Sequence, residues 1–159
     1  MTNLIDTLNI RPADNVVCDG NLIEVFRGEG EFKKIGGLKQ IVFHTLTSKK
    51  VGGNHYHKEK FEIIYVIEGI IDVYLRDPIQ VLKLGKKKIE GEKPGVITYK
   101  QRVFQGQKFN LVPGIAHALH SQGKSKIMEF TNLTFNPENQ KNDVYDCEVF
   151  NKQLFPTRF

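Results

Sequence analysis

The chain has 159 residues, which corresponds to one domain of ordinary size with a single hydrophobic core. Its formal net charge of +5 at pH 7 favours anionic partners, although charge alone does not distinguish a phosphate-bearing metabolite from a nucleic acid. Two distant cysteines, Cys18 and Cys147, exclude a disulfide framework and a cysteine zinc knuckle. Without a long apolar run or a signal-peptide pattern, we expect a soluble cytoplasmic protein with no membrane segment.

Short apolar runs separated by turn residues predict antiparallel β structure. The runs are rich in Val, Ile, Phe, Tyr and Thr, have the length of strands, and end in Gly, Pro, Asp or Asn. No segment of fifteen residues holds the 3.6-residue apolar period of a long helix. Many short strands at even spacing are typical of a sandwich or barrel. In chain order the runs are NLIEVFRG, LKQIVFHTLT, FEIIYVIEG, IIDVYLRD, GVITYKQ, GQKFNLVPG, IAHALHSQG and SKIMEFTNLTF.

More polar segments flank this β region. Residues 1–21 form an N-terminal segment, and residues 136–159 form an extended tail with scattered aromatic residues. Those aromatic side chains need something to pack against, so we expect the tail to cover the outside of the barrel or a second subunit, in a homodimer. The aromatic residues are Tyr145, Phe150, Phe155 and Phe159.

The three consecutive lysines at 86–88 lie in the basic stretch KLGKKKIEGEKPG. The simpler interpretation is a solvated hairpin that discourages edge-to-edge association. The alternative is a patch that steers a nucleotide-linked sugar toward the protein. The stretch lacks the interleaved aromatic residues of a single-strand nucleic-acid site, so we expect no nucleic-acid partner.

The segment GGNHYHKEKFEIIYVIEG, residues 52–69, concentrates residues that can bind a metal ion. His55 and His57 are two apart, so on a strand both side chains project from the same face and can share an ion. Glu62 begins the next apolar run and shares its face with Ile64 and Val66. A carboxylate at the head of a buried face needs a partner, because its desolvation costs several kcal/mol.

A second group of residues lies about sixty positions later, in VPGIAHALHSQG. His117 follows a Pro-Gly turn and begins a strand whose alternate side carries Leu119 and Ser121, so we assign it to the interior. His120 belongs to the opposite face. We interpret His120 and His44 as structural or solvent-facing.

Together these two segments resemble the paired motifs of the cupin superfamily, over about residues 22–135. The first motif is two histidines in HxH spacing, then three or four intervening residues, a glutamate, six further intervening residues and a glycine. The second motif is a Pro-Gly turn followed by a histidine; its usual final Asn is Ser121 here. The matching residues are His55, His57, Glu62, Gly69, Pro113, Gly114 and His117.

The resemblance implies an all-β fold, the cupin double-stranded β-helix or jelly-roll barrel. It also implies a site for a divalent transition metal, with Zn, Fe, Mn, Ni and Co all chemically acceptable. By position, the implied ligands are His55, His57, Glu62 and His117.

A narrower similarity links the first motif and FNPENQKNDVYDCEV in the tail to cupins of capsular-polysaccharide and deoxysugar biosynthesis. It implies an epimerase or isomerase that acts on a nucleotide-activated or phosphorylated sugar. Residues able to move a proton or to hold an enolate or diphosphate are Lys60, Tyr65, Arg27 and Arg76. The catalytic candidates are Lys60 and Tyr65, although strand alternation places Tyr65 on the opposite face from Glu62.

Three alternatives remain open. The same ligand set supports an Fe(II)-dependent dioxygenase of a small metabolite. Cupin barrels also serve as non-catalytic sugar-binding or small-molecule-binding modules, although no helix-turn-helix pattern accompanies this one. In a metal-free site, the histidines would instead carry protons.

Overall fold

Residues 7–18, 20–24, 33, 36–76, 99–135, 143–147 and 149 are described by a computed structural model, with backbone alone for 14–18 and 20–24. These residues form twelve β-strands. The strands are β1 (Arg11–Pro12), β2 (Asp14–Cys18), β3 (Gly20–Glu24), β4 (Gln40–Thr47), β5 (Val51–Tyr56), β6 (Glu62–Glu68), β7 (Ile70–Arg76), β8 (Tyr99–Phe104), β9 (Gln107–Leu111), β10 (Ala116–Ser121), β11 (Lys124–Thr131) and β12 (Tyr145–Asp146).

Two five-stranded antiparallel sheets make up the jelly-roll barrel that the motifs predicted. The first sheet has the strand order β1-β9-β6-β11-β4, the second has the order β12-β5-β10-β7-β8, and β2 pairs with β3. Apolar side chains from both sheets meet in one core, which removes them from water. The fully buried members of this core include Ile64, Val66, Ile71, Val73, Leu75, Val103, Phe109 and Ile127.

Side-chain alternation decides which residues face the barrel interior. On β4, Val42 and His44 line an internal cavity, whereas Ile41 and Phe43 are each 55% exposed. Because side chains alternate with a two-residue period, every second residue of a strand faces the barrel interior. The inward faces of β4, β6 and β11 in one sheet therefore oppose those of β5 and β10 in the other.

Gly69, the last residue of the first motif, makes the tight turn between β6 and β7. Its φ angle is +90°, a left-handed conformation that glycine adopts without steric cost. A Cβ atom there would also collide with the Ser125 side chain. The motif glycine is therefore required by the turn rather than by the chemistry of the site.

Both flanking segments contribute to the barrel. Leu8 is fully buried in the core, and β1 pairs with β9. In the tail, β12 pairs with β5, and the Tyr145 ring stacks on Tyr56 with 5.1 Å between centroids. The free thiol of Cys147 is buried beside Tyr74.

Several residues singled out in the sequence lie outside the described part of the chain. They are Arg27, Lys86, Lys87, Lys88, Phe150, Phe155, Phe159 and the side chain of Cys18. Within the described ranges, no helix is long and apolar enough to cross a membrane.

Candidate functional site

A cavity of about 340 Å³ opens between the two sheets. Its inner wall is apolar and continuous with the core, with Val42, Leu46, Ile64, Leu111, Leu119 and Ile127 among the lining residues. The rest of its lining carries an unusual number of ionisable side chains. They are His44, His55, His57, Lys60, Glu62, His117 and Glu129.

Three histidines from the two cupin motifs meet in this cavity. His55 on β5 is the cross-strand neighbour of His117 on β10, and His57 lies one residue beyond the end of β5. The ring centroids are 4.7 Å apart for His55 and His57 and 4.9 Å apart for His55 and His117. One ring nitrogen from each lies within 4.8 Å of the others, so these histidines can supply three ligands to one metal ion.

The residues just before the first histidine explain this pairing. Gly53 and Asn54 both have positive φ angles, +82° and +64°, and the register between β5 and β10 shifts at this point. A Cβ atom on Gly53 would lie 2.8 Å from the His117 carbonyl oxygen. Glycine therefore permits the close approach that sets His55 beside His117.

Backbone carbonyls fix the orientation of two of the rings. Nδ1 of His57 donates a hydrogen bond to the Asp143 carbonyl, and Nδ1 of His117 donates to the Ile115 carbonyl at 3.4 Å. In the neutral rings the lone pair is therefore on Nε2, as in metal-binding histidines. Among the described residues, the buried Nε2 of His57 has no hydrogen-bond partner.

The Glu62 carboxylate faces these two Nε2 atoms. Its Oε1 lies 3.4 Å from Nε2 of His57, and its Oε2 lies 3.6 Å from Nε2 of His117. Burial alone would raise the pKa of Glu62, but His57 and the charges of His117 and Lys60 hold it well below its usual value of 4.5. A buried anion thus faces the histidine cluster.

Lys60 joins this carboxylate to a second one. Its ammonium nitrogen lies 2.7 Å from Glu62 Oε1 and 2.8 Å from Glu129 Oε1. Burial would lower the pKa of Lys60, but the two carboxylates raise it above 10.5. Lys60 is therefore a partly buried cation at neutral pH, rather than the solvated lysine that is common in loops.

The three clustered histidines have different proton affinities. Burial, reinforced by His117 and His57, lowers the pKa of His55 to about 3. Burial also lowers the pKa of His117, against the attraction of Glu62. For His57, burial acts in the same direction but Glu62 outweighs it, so its pKa is raised. His55 and His117 are therefore neutral at pH 7, which is the form that binds metal.

A tail residue that the sequence reasoning missed holds the loop between β5 and β6. The Asp143 carboxylate accepts hydrogen bonds from the backbone amides of Lys58, Glu59 and Lys60 at 2.9, 2.7 and 2.7 Å. Burial would raise the pKa of Asp143, but these amides lower it. Asp143 thus fixes the loop through its side chain and His57 through its carbonyl.

A second unpredicted feature is the pair of His44 and Glu129. Nε2 of His44 lies 2.9 Å from Oε2 of Glu129, across the antiparallel strands β4 and β11. The hydrogen bond to Glu129 outweighs burial and raises the pKa of His44 above 6.5. The sequence predicts a structural or solvent-facing His44; its side chain is 41% exposed, but it also lines the cavity.

The remaining sequence candidates lie away from the cavity. Tyr65 is buried on the other face of β6 with Ile63 and Phe130, on the side that strand alternation predicted. Arg76 ends β7 and does not line the cavity. His120 is buried, with Nε2 3.3 Å from the Ser48 carbonyl oxygen, which fits a structural role.

Solved structures of sugar-nucleotide enzymes share this architecture. A dTDP-4-dehydrorhamnose 3,5-epimerase from Bacillus anthracis, with TDP and pyrophosphate bound, is 13% identical with a TM-score of 0.60, over 91% of this chain and 81% of that one. The 3,4-ketoisomerase QdtA from Thermoanaerobacterium thermosaccharolyticum, in complex with TDP, is 12% identical with a TM-score of 0.59, over 89% of this chain and 88% of that one.

A third example is RmlC from Legionella pneumophila, a dTDP-6-deoxy-D-glucose-3,5-epimerase in complex with dTDP-4-keto-L-rhamnose. It is 16% identical with a TM-score of 0.59, over 87% of this chain and 73% of that one. No protein-family model and no curated protein matches the sequence. At these identities the likeness concerns the fold, and the chain has the fold of the RmlC-type cupins, as its two motifs predicted.

Proposed function

We propose that the protein is an epimerase or ketoisomerase that moves a proton beside the carbonyl of a nucleotide-activated or phosphorylated keto sugar. The observation that carries this proposal is that a potential metal-binding cluster and a chain of acid and base groups share one cavity. A volume of about 340 Å³ is in the range of small-molecule sites. A purely apolar cavity would have suited a non-catalytic binding module better.

We also propose that His55, His57 and His117 hold a divalent transition metal, with Glu62 as the fourth ligand. The buried Nε2 of His57 supports this: it has an ion-pair contact with Glu62 at 3.4 Å but no hydrogen bond among the described residues, and a buried polar atom without a hydrogen bond is costly unless something binds there. Imidazole and carboxylate donors suit Zn, Fe, Mn or Ni. When bound, such an ion polarises a substrate carbonyl and acidifies the adjacent C–H bond.

In this proposal Lys60 provides charge rather than basicity. Its ammonium group is held between two carboxylates with a raised pKa, so it cannot accept a proton at neutral pH. It supplies a positive charge beside the cavity, where oxygen atoms of an anionic sugar or its enolate gain from a cation. Tyr65 has no part in this chemistry, since it packs on the other side of β6.

A second candidate function is an Fe(II)-dependent dioxygenase of a small metabolite. The feature that favours it is the cluster of three imidazoles, with the Glu62 carboxylate facing His57 and His117, because imidazole and carboxylate ligands suit iron equally well. Oxygen uptake by the iron-reconstituted protein separates the two candidates, because proton transfer within a sugar consumes no oxygen.

We further propose that the protein acts as a homodimer in the cytoplasm. Exposed apolar side chains support self-association, with Ile41 and Phe43 each 55% exposed and Phe135 51% exposed. The free thiol of Cys147 fits a reducing compartment. Light scattering coupled to size-exclusion chromatography measures the molecular mass in solution, and a mass of one chain would contradict the dimer.

The direct test of the enzyme proposal uses TDP-4-keto-6-deoxyglucose, the sugar bound in one QdtA structure. The metal-loaded protein is incubated with this sugar in D₂O, and deuterium incorporation is followed by NMR together with the melting temperature. We expect a raised melting temperature and deuterium at a carbon next to the carbonyl. If neither occurs with this sugar or related nucleotide sugars, the proposal is wrong.

A further inference from the structure

His44 differs from the three clustered histidines in its setting. Its side chain is 41% exposed, whereas those of His57 and His117 are 4% and 5% exposed. It projects from β4 in the first sheet, while His55 and His117 belong to β5 and β10 in the second sheet. All four histidines line the same cavity. A substrate in that cavity would therefore meet a separate imidazole opposite the cluster.

Glu129 orients this imidazole. Its Oε2 lies 2.9 Å from Nε2 of His44, and its Oε1 lies 2.8 Å from the Lys60 ammonium nitrogen. The side chain of Glu129 is only 14% exposed, and its two oxygens are held by different partners. A carboxylate fixed in this way can accept the Nε2 proton of His44 in a hydrogen bond, which leaves the lone pair on Nδ1.

The His44–Glu129 pair thus contains the two groups of a histidine general base that is oriented by a carboxylate. A carboxylate that accepts a hydrogen bond from one ring nitrogen raises the basicity of the other and stabilises the imidazolium that forms. The ionisable groups acting on His44 are Glu129 on β11, Lys60 in the loop after β5 and Glu62 on β6. Glu129 has the largest effect and raises the pKa of His44 from 6.5.

We propose that His44 is a proton-transferring residue of this site and that Glu129 positions it. This inference rests on the proposed keto-sugar chemistry. The C–H bond beside the carbonyl breaks, its proton passes to Nδ1 of His44, and the electron pair forms the enolate. The imidazolium then returns a proton to carbon. In D₂O the imidazolium exchanges with solvent, so the returning proton is replaced by deuterium.

The test compares wild-type protein with His44→Gln in the deuterium-exchange measurement with TDP-4-keto-6-deoxyglucose. We expect the variant to keep its fold and its sugar-dependent rise in melting temperature, while exchange slows by about 100-fold to 10,000-fold. Lys126→Gln is the matched control on β11, because it removes only a surface ion pair with Glu68 and leaves exchange unchanged. Exchange in His44→Gln within a few-fold of wild type would overturn the role of His44.

Glu129→Gln gives an independent readout that does not require replacing His44. The proposal predicts that the low-pH limb of the exchange rate moves to lower pH, because neutral His44 is the reactive form and Glu129 raises its pKa. An unmoved limb would overturn the positioning role of Glu129. A wild-type protein that neither binds nor labels the sugar would overturn the proposed function as well, whereas labelling by wild type and His44→Gln alike overturns only this inference.

Discussion

Two buried carboxylates in the barrel, Glu62 and Asp72, have the same electrostatic signature but different surroundings. Both are almost inaccessible to solvent, at 4% and 0% exposure. Burial raises the pKa of each, but neighbouring groups outweigh burial, so the pKa of each is lowered. Asp72 is surrounded by Lys100 at 2.9 Å, Arg102 at 2.8 Å and the Gln122 amide. Both of its oxygens are contacted by donor groups of these side chains.

Glu62, in contrast, pairs with Lys60 and also faces the Nε2 atoms of His57 and His117. The Nε2 atom of His57 lies 3.4 Å from its Oε1, an ion-pair contact whose geometry is not that of a hydrogen bond. A lowered carboxylate pKa is therefore common to a structural site and to a candidate functional site. The distinguishing feature is the buried Nε2 atom of His57, which has no hydrogen-bond partner among the described residues, whereas most buried polar groups in folded proteins have one.

The largest effect expected from this contrast is that of Lys60→Met. The substitution leaves Glu62 and Glu129 without their shared cation, which should lower the free energy of unfolding by about 3–5 kcal/mol at pH 7. Lys100→Met is the matched change beside Asp72, where Arg102 and Gln122 remain. For Lys100→Met we expect the free energy of unfolding to fall by only about 1 kcal/mol, because Lys100 is 45% exposed.

Urea unfolding measures both changes. The pKa of Glu62 lies below 4.5 in the folded protein, so the stabilisation that it gives is present above that pH and is lost on acidification. The deficit of Lys60→Met should therefore shrink at acidic pH. Equal costs for the two lysine variants would contradict the distinction between the sites.

Gly53→Ala should have the next largest effect. The φ angle of Gly53 is +82°, and an added Cβ atom would lie 2.8 Å from the His117 carbonyl oxygen. We therefore expect the free energy of unfolding to fall by about 2–4 kcal/mol and His117 to be displaced. Gly106→Ala is the control, because Gly106 has the same φ angle and open space around it. For Gly106→Ala we expect the free energy of unfolding to fall by about 1 kcal/mol and metal binding to be unchanged. If both variants bind metal like wild type, the packing explanation is wrong.

Asp143→Ala tests the tail residue that supports the site. Three backbone amides lose their common acceptor, so we expect about 2 kcal/mol of destabilisation and metal binding weakened about 10-fold to 100-fold. Isothermal titration with Zn²⁺ measures the affinity. The stabilisation from Asp143 is lost as the pH falls below 3.8, because its folded pKa is lowered. Unchanged Zn²⁺ affinity would contradict its supporting role.

Asp72→Asn should have the smallest effect. Its partners Lys100 and Arg102 are nearly half exposed, so solvent screens the pair and we expect a loss of about 1 kcal/mol. Metal content and sugar labelling should be those of wild type. The stability difference from wild type should vanish as the pH falls below 3.8, since the folded pKa of Asp72 is lowered. A change in sugar labelling would show that the two regions are coupled.

The sequence was informative where a local pattern determines structure. The two-residue spacing of His55 and His57 predicted that they share a face, and the resemblance to the two cupin motifs predicted that His117 joins them; the three imidazoles do cluster. Strand alternation also placed Tyr65 on the far face of β6. The shared face of His55 and His57 and the position of Tyr65 depend on residues close together in the chain, whereas His117 was predicted from a motif.

Features that depend on pairing between distant strands could not be predicted. His44 and Glu129 are 85 residues apart, and they meet because β11 lies between β4 and β6. No sequence pattern predicts that order. Asp143 was missed for the same reason, since its amide partners lie 83 to 85 residues earlier. The sequence signal for the His44–Glu129 pair was limited to a histidine and a glutamate in two separate apolar runs.

Metal content is the most direct test of the difference between the two carboxylate sites. The protein is purified from medium supplemented with Zn, Fe, Mn and Ni, and metal per chain is measured by mass spectrometry for wild type, His57→Gln and Asp72→Asn. We predict about one transition-metal ion per chain in wild type and Asp72→Asn, and almost none in His57→Gln. Metal-free wild-type protein, or full metal content in His57→Gln, would contradict the account.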